Sequence, residues 1–347
     1  MVTHRPMRIF AVFAIALLSA CAGRQAVSEA EAGRALADEG KADEARARYE
    51  RALALDPNIV GAHHGLGMLH LRAGDLPRAI TELVREVEQH PDNDDARHNL
   101  AIAYIRLGRA TDALARLAEL KGPETAERSL VKAIALMHQG DLPAARDLAT
   151  KVSTEQPSAF ASTLVGLIAA AEGRPDDAVA ALQAAIDRDP KATAPILALG
   201  LVRLRTGEGR KGVAEVQPLL QLAPKDADGP LLLGLLHLST GNPRGAREQL
   251  DASLALDPTR AGVRNTLAVA RSLDGDEKGA AEALEDELAK RPGLPVAHRN
   301  RAVLLYRSGD LEGARVAFAR ALTLDPADAA SRKALTALDA ALPPPRD

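Results

Sequence analysis

The sequence predicts an all-α fold, an α-solenoid of about nine helical hairpins closed by a terminal capping helix. Three observations carry this prediction. Glycine recurs at 40, 74, 108, 140, 173, 207, 241, 275 and 309, at intervals of 32 to 34 residues, a period characteristic of stacked supersecondary units. Proline follows about 17 residues after most of these, at 57, 91, 157, 190, 224, 258, 292 and 326, with Pro123 arriving two residues early in the third unit. Between the two markers lie stretches of a dozen or so residues with apolar positions three and four apart, too long for strands and spaced for one helix face. With 347 residues, 46% hydrophobic and 26% charged, the chain has enough apolar surface to bury a core and is not a disordered tail.

The first segment, 1–20, reads as an export signal. Arg5 and Arg8 form a basic start, and Ile9 to Leu18 are ten continuously apolar residues, too few to span a membrane and suited to a signal h-region. Leu18-Ser19-Ala20-Cys21 follows and resembles the bacterial lipobox, in which cleavage leaves a lipidated cysteine as the mature N-terminus. The resemblance implies lipidation of Cys21, with 21–25 as the modified residue and a short tether. The alternative is an ordinary secretory signal cut near Ala20 or Ala22. Acyl chains contribute about 0.8 kcal/mol per buried CH₂, so several would hold the body at a membrane without spanning it. Loss of residues 1–20 leaves 42 basic and 47 acidic residues, a charge of −5, so the anchor is lipid rather than a polybasic patch.

Each unit then follows one plan. In the first, Gly40 is followed by Ala45, Tyr49 and Ala52 on one helix face and closes on Leu53-Ala54-Leu55-Asp56-Pro57. The ninth repeats this with Gly309, Ala314, Phe318, Ala321 and Leu322-Thr323-Leu324-Asp325-Pro326. Small alanines let two helices approach closely while the single large residue fills the gap one turn away. Pro77, Pro143, Pro175 and Pro243 fall two or three residues after their glycine, in a helix's first turn, where a missing N–H costs nothing extra. Pro218 lies inside the second helix of repeat six and is expected to bend or break it. The short third repeat, at Lys121-Gly122-Pro123-Glu124, is expected to mark a change of superhelical pitch near 121–124. After Pro326, residues 327–342 read as one more amphipathic helix that covers the last repeat. Pro343-Pro344-Pro345 stop it, leaving 343–347 as a Pro-rich disordered tail.

This succession of glycines, alanines, an aromatic or leucine and a proline resembles the tetratricopeptide repeat, over residues 26–326. The match includes the small residue of the first helix, present as Gly33, Gly67, Ala101, Ala133, Gly166, Gly200, Gly234, Ala268 and Ala302. It departs where the family's bulky residue near the start of the first helix is Glu29, His63 or Arg97, and where Gly212 replaces the usual alanine in repeat six. Looser packing is expected in those repeats. The resemblance implies a right-handed superhelix whose first helices line a concave side, and binding of another protein there.

Numbering the hairpin glycine as the fifteenth position of each repeat puts the ninth and twelfth positions on that side. The ninth positions after Arg34 are Met68, Ile102, Ile134, Leu167, Leu201, Leu235, Val269 and Val303. The twelfth include Leu71, Ile105, Met137, Leu204, Leu238, Ser272 and Tyr306, and fifth positions add Leu130, Leu197 and Leu231, with the densest stripe in repeats four to seven. These side chains suit two roles: packing between neighbouring first helices, or an open groove for an amphipathic helix or extended peptide. His98, Asn99 and Arg106 near one end, and Asn265, Arg299, Asn300 and Arg307 near the other, are candidates to orient a partner's backbone or carboxylates. The lysine and asparagine pattern of carboxylate-clamp members is absent.

Other functions find little support. Two per cent aromatic residues, no Trp and a net charge of −3 argue against a nucleic-acid partner. One cysteine excludes a disulfide framework and multi-thiolate zinc. His63 and His70 are about 10 Å apart along a helix, too far to share a metal, and Asp92-Asn93-Asp94-Asp95 lacks the glycine and final glutamate of a calcium loop. Gly207 to Gly212 lacks the strand and the Gly-Lys-Ser/Thr ending of a phosphate loop. No catalytic residue, metal or cofactor is therefore expected. The expectation is a lipid-anchored envelope scaffold, placed at the outer membrane facing the periplasm because Ala22 rather than Asp follows Cys21. Lipoproteins of this architecture resemble those that assist pilus or secretion-system assembly. The alternatives are an adaptor regulating an envelope enzyme, such as a peptidoglycan hydrolase or protease, and an enzyme in its own right.

Overall fold

Backbone is described for residues 6–341 and side chains for 22–341 in the computed structural model. The side chain of Cys21, residues 1–5 of the expected signal, Leu342 and the tail 343–347 lie outside the described residues. Among the described residues all regular structure is helical. The chain divides between Pro157 and Ser158 into two compact units.

The N-terminal unit contains α1 (Pro6–Asp38) and α2 (Ala42–Leu55), α3 (Ala62–Ala73) and α4 (Leu76–Gln89), α5 (Asp94–Arg106) and α6 (Ala110–Ala118), and α7 (Ala126–Gln139) and α8 (Leu142–Glu155). Residues 22–25, expected as a tether, are helical and continuous with the first repeat. Within this unit first helices touch first helices: α1 meets α3, α3 meets α5 and α5 meets α7.

The C-terminal unit contains α9 (Ala159–Ala171), α10 (Pro175–Arg188), α11 (Thr193–Arg205), α12 (Gly209–Val216), α13 (Leu219–Leu222), α14 (Asp228–Ser239), α15 (Pro243–Leu256), α16 (Val263–Leu273), α17 (Glu277–Lys290), α18 (Pro295–Ser308), α19 (Leu311–Leu324) and α20 (Ala329–Ala341). The same first-helix contacts run α9 to α11, α11 to α14, α14 to α16 and α16 to α18. Helix α20 packs on α19 through Leu338 and presents Arg332, Lys333 and Asp339 outward, as a cap must. Pro218 separates α12 from α13; its missing N–H leaves the helical ladder open there.

All nine hairpin glycines have φ between +72° and +92°, the left-handed region that turns a helix end without a Cβ clash. The first-helix small residues are fixed by contact instead. A Cβ added at Gly67, Gly166 or Gly234 would lie 2.6 to 2.7 Å from the Cγ of Leu83, Leu182 or Leu250, so the leucine of the second helix occupies the space that glycine vacates. The corresponding Ala101, Ala133, Ala268 and Ala302 are all buried.

The expected loosening does not occur. Arg97 is buried, bonded to Asp94 at 2.9 Å and to the Pro91 carbonyl at 2.6 Å. His63 Nδ1 lies 2.6 Å from Glu82, and Glu29 accepts from Arg48 at 3.1 Å. These polar residues fill the bulky position by pairing, which satisfies most of the groups that burial would otherwise penalise, with Glu119 3.5 Å from the remaining Arg97 Nε. At Gly212 a Cβ would meet Leu236 Cδ2 at 2.6 Å, so repeat six is closed by its neighbour's leucine and not slack.

The first-helix face as a candidate interaction surface

The predicted apolar row is covered to different degrees along the chain. In the N-terminal unit Leu71 and Ile105 are buried in core clusters, and Met68, Ile102, Ile134 and Met137 are partly buried. Packing between first helices therefore accounts for most of the row there. In the C-terminal unit Leu204, Leu235, Leu238 and Val269 are partly buried, while Leu167, Leu201 and Val303 are 40%, 50% and 36% exposed. Phe160, seven residues before Leu167 and so on the same face of α9, is 57% exposed, and Tyr306 is 56% exposed. Sequence reading missed Phe160 because it sits at the second position; its signal was being one of only 4 phenylalanines in the chain.

The predicted polar ends are mostly spoken for. Asn99 Nδ2 lies 2.8 Å from His64 Nε2, and Asn300 Nδ2 donates to Asn265 Oδ1 at 2.9 Å. Arg106 donates to the Leu71 carbonyl at 2.7 Å, Arg72 to the Ala37 carbonyl at 3.1 Å, and Arg307 to Ser272 Oγ at 2.8 Å. Every one of these pairs is 35 residues apart, joining equivalent parts of adjacent first helices. Arg299 pairs with Asp328 at 3.1 Å. These residues staple the stack, and each neutral hydrogen bond contributes about 1 kcal/mol.

His98 is buried with neither ring nitrogen bonded; Glu127 stands 3.6 Å away. Burial lowers the pKa of both His98 and His64, against the opposing pull of Glu127 on one and of Glu86 and Asp95 on the other. The folded state thus favours neutral rings, while unfolded histidines protonate near pH 6.5. Below that pH the unfolded chain binds more protons, so stability falls as pH drops through it. Melting between pH 7.5 and 5.5 should show a loss for the wild type and a smaller one for the His64→Gln, His98→Gln pair; equal losses would remove these rings as the cause.

Two depressions accompany the face. One of about 390 Å³ in the N-terminal unit is bordered by Arg34, Tyr49, His64, Met68, Arg72 and Asp95; a Cβ at Gly65 would strike the Tyr49 ring. The other, of about 120 Å³, lies between α16 and α18. The Asp92–Asp95 stretch acts as an inter-repeat turn: Asn93 caps α5, and Asp94 accepts from the backbone of Lys121 and Gly122. No group of three or more metal-ligating side chains clusters among the described residues, and no described helix is long and apolar enough to cross a membrane.

Family models of the tetratricopeptide repeat match residues 31–96, 65–121, 98–160, 130–193, 163–230 and 197–261, and another matches 295–328. A TPR repeat-containing protein of Pseudomonas aeruginosa is 41% identical over 64 residues, 18% of this chain and 26% of that protein. The chain thus aligns with about a quarter of its curated relative. Among solved structures, the APC/C hetero-tetramer Cut9-Hcn1 is similar at a TM-score of 0.59 and 16% identity, covering 90% of this chain and 76% of that one. The human IFIT1 dimer gives 0.55 at 18% identity, covering 86% and 73%. At such identities the likeness concerns the fold alone. With windows of one family spanning most of the chain and the glycine, alanine and leucine contacts of its repeats in place, this chain belongs to the tetratricopeptide repeat family.

Proposed function

We propose that this protein is a lipid-anchored scaffold of the bacterial cell envelope that binds another envelope protein on its first-helix face, an assembly component of a pilus or secretion system in the first instance. The tetratricopeptide fold is that of a protein-interaction scaffold. One observation supports this use of the face above all: Phe160, Leu167 and Leu201 stand exposed together on adjacent first helices of the C-terminal unit, apolar area that a chain without a partner tends to cover. The lipobox-like ending at Cys21 supports the address.

Two measurements test the two halves. A photo-crosslinking residue at Leu201 in living cells should capture a discrete envelope partner, and its identity separates a pilus or secretion component from a hydrolase or protease. Cys21→Ala should move the protein out of the membrane fraction, since acyl burial would then be lost. Undiminished membrane association of that variant refutes the anchor and leaves the binding face standing.

A further inference from the structure

We infer that the partner presents to the C-terminal unit an amphipathic α-helix with carboxylates along one flank, lying across α9, α11, α14, α16 and α18 and seating one aliphatic side chain in the cavity beside Ser272. This rests on the binding face proposed above and specifies its occupant.

The width of the apolar lane argues for a helix. Leu197, Leu201 and Leu204 on α11, and Leu231, Leu235 and Leu238 on α14, each run over seven residues of helix, about 10 Å. That is the diameter of a helix, whereas an extended strand takes up only about 5 Å across. The length of the lane argues the same way. Leu167, Leu201, Leu235, Val269 and Val303 supply one apolar residue per repeat on first helices in mutual contact, and packed helices lie about 8–10 Å apart. Seven residues of helix rise about 10.5 Å, so a partner with one apolar residue per heptad sets an anchor over each repeat. A strand covers the same step in about three residues, and an odd step turns alternate side chains away.

The cavity of about 120 Å³ is walled by Ala268, Val269, Leu284, Val303 and Leu304, with Ser272 at its edge. It exists because Ser272 holds the twelfth position, which in repeats six and seven is filled by Leu204 and Leu238 packing onto their core clusters. Its size is close to that of apolar cavities that take up one small hydrocarbon, and suits a Val or Leu side chain.

Charge chooses the flank. The first helices of this unit carry seven arginines against a single carboxylate, Asp228, and Asp228 is paired with Arg260. Arg203, Arg264 and Arg271 are paired with carboxylates of second helices or hairpin turns. At the thirteenth position, on the lane's edge, stand Arg205 and Arg307, with Ala171, Ser239 and Leu273 in the other repeats. Arg205 is exposed and makes no ion pair among the described residues. Arg307 donates one guanidinium N–H to Ser272 Oγ at 2.8 Å, has Glu277 3.7 Å away and remains half exposed, with further N–H groups toward solvent. A helix with Glu or Asp on that side complements this edge.

The test uses the full chain in detergent and three labelled 29-residue synthetic peptides with leucine at every seventh position, read by fluorescence anisotropy. One has a glutamate flank, one a lysine flank, and one a glutamate flank with two central prolines. The glutamate helix should bind at least tenfold more tightly than either other peptide, and Ser272→Leu should weaken it at least fivefold, whereas Ser272→Ala, which loses the same Arg307 hydrogen bond but leaves the cavity open, should bind it as the wild type does, with circular dichroism helical in both. Equal binding of the proline peptide, equal binding of the lysine peptide, insensitivity to Ser272→Leu, or self-association of the chain through this lane overturns the inference. If Leu201 crosslinks a cellular partner and yet no helical peptide binds, only the occupant is wrong; if Leu201 crosslinks nothing, the binding face itself is.

Discussion

Glu86→Ala is expected to destabilise the N-terminal unit by about 3 kcal/mol or more, and Glu86→Gln by much less. Glu86 is fully buried on α4 and accepts from Gly61 N at 2.8 Å, His64 N at 3.1 Å and Asn93 Nδ2 at 2.8 Å. Gly61 is the N-cap of helix α3, with φ +85° and no side chain to cap with, so Glu86 supplies the cap from 25 residues away and ties it to Asn93 at the head of α5. Truncation strands these donors inside the unit, and a buried unsatisfied donor costs about 1–3 kcal/mol. Glutamine keeps one acceptor oxygen and the volume. Hydrogen exchange of the α3 amides, with denaturant melts alongside, reads the effect locally, as a repeat stack need not unfold in one step. Unchanged protection of α3 in Glu86→Ala would show the cap to be dispensable. Glu287 repeats the device for α16, accepting from Gly262 N at 3.2 Å and from Arg291 at 2.7 Å, with its Oε2 unpartnered.

That device was readable in the sequence, though only as a pair. Gly61 with Glu86 and Gly262 with Glu287 share a spacing of 25. Where the first helix brings its own cap, as with Thr125 or Ser158, the matching position is Val152 or Ala185. The hairpins themselves were legible because each rests on a local requirement: a glycine at positive φ, a proline in a first turn, a glycine or alanine against a leucine. The staples were not. Asn99, Arg106, Asn300 and Arg307 looked free for a partner because their own partners lie 35 residues back, one residue off the repeat period and so invisible when each repeat is compared with itself. Exposure was equally out of reach. Leu71 and Leu204 share the twelfth position, yet Leu71 is buried and Leu204 only partly so, because coverage depends on side chains of neighbouring repeats.

Leu167→Asp combined with Leu201→Asp is expected to weaken partner capture at least a hundredfold with little change in the melting of the C-terminal unit. Each side chain is already 40% or 50% exposed, so a carboxylate there stays hydrated and folding gives up little apolar burial. Bound to a partner, the same two residues would be covered. A Leu-sized anchor is worth about 1.5–3 kcal/mol when fully buried, so two that are half covered already contribute about 1.5–3 kcal/mol together, and the added cost of burying two unpaired charges carries the total past the roughly 2.8 kcal/mol that a hundredfold represents. The helical arginines nearby do not rescue the change, because a partner carrying carboxylates would meet new charge of its own sign. Leu204→Asp should behave differently: Leu204 packs on the cluster of Val216, Leu219 and Leu236, so it should lower stability first and binding as a consequence. Val316→Asp, at a side chain 66% exposed on α19, a second helix, should alter neither. Capture from cells, circular dichroism and thermal melts on the four proteins separate these outcomes. Collapse of the fold in the Leu167, Leu201 variant would mean the row serves packing, and full capture by it would mean the partner docks elsewhere.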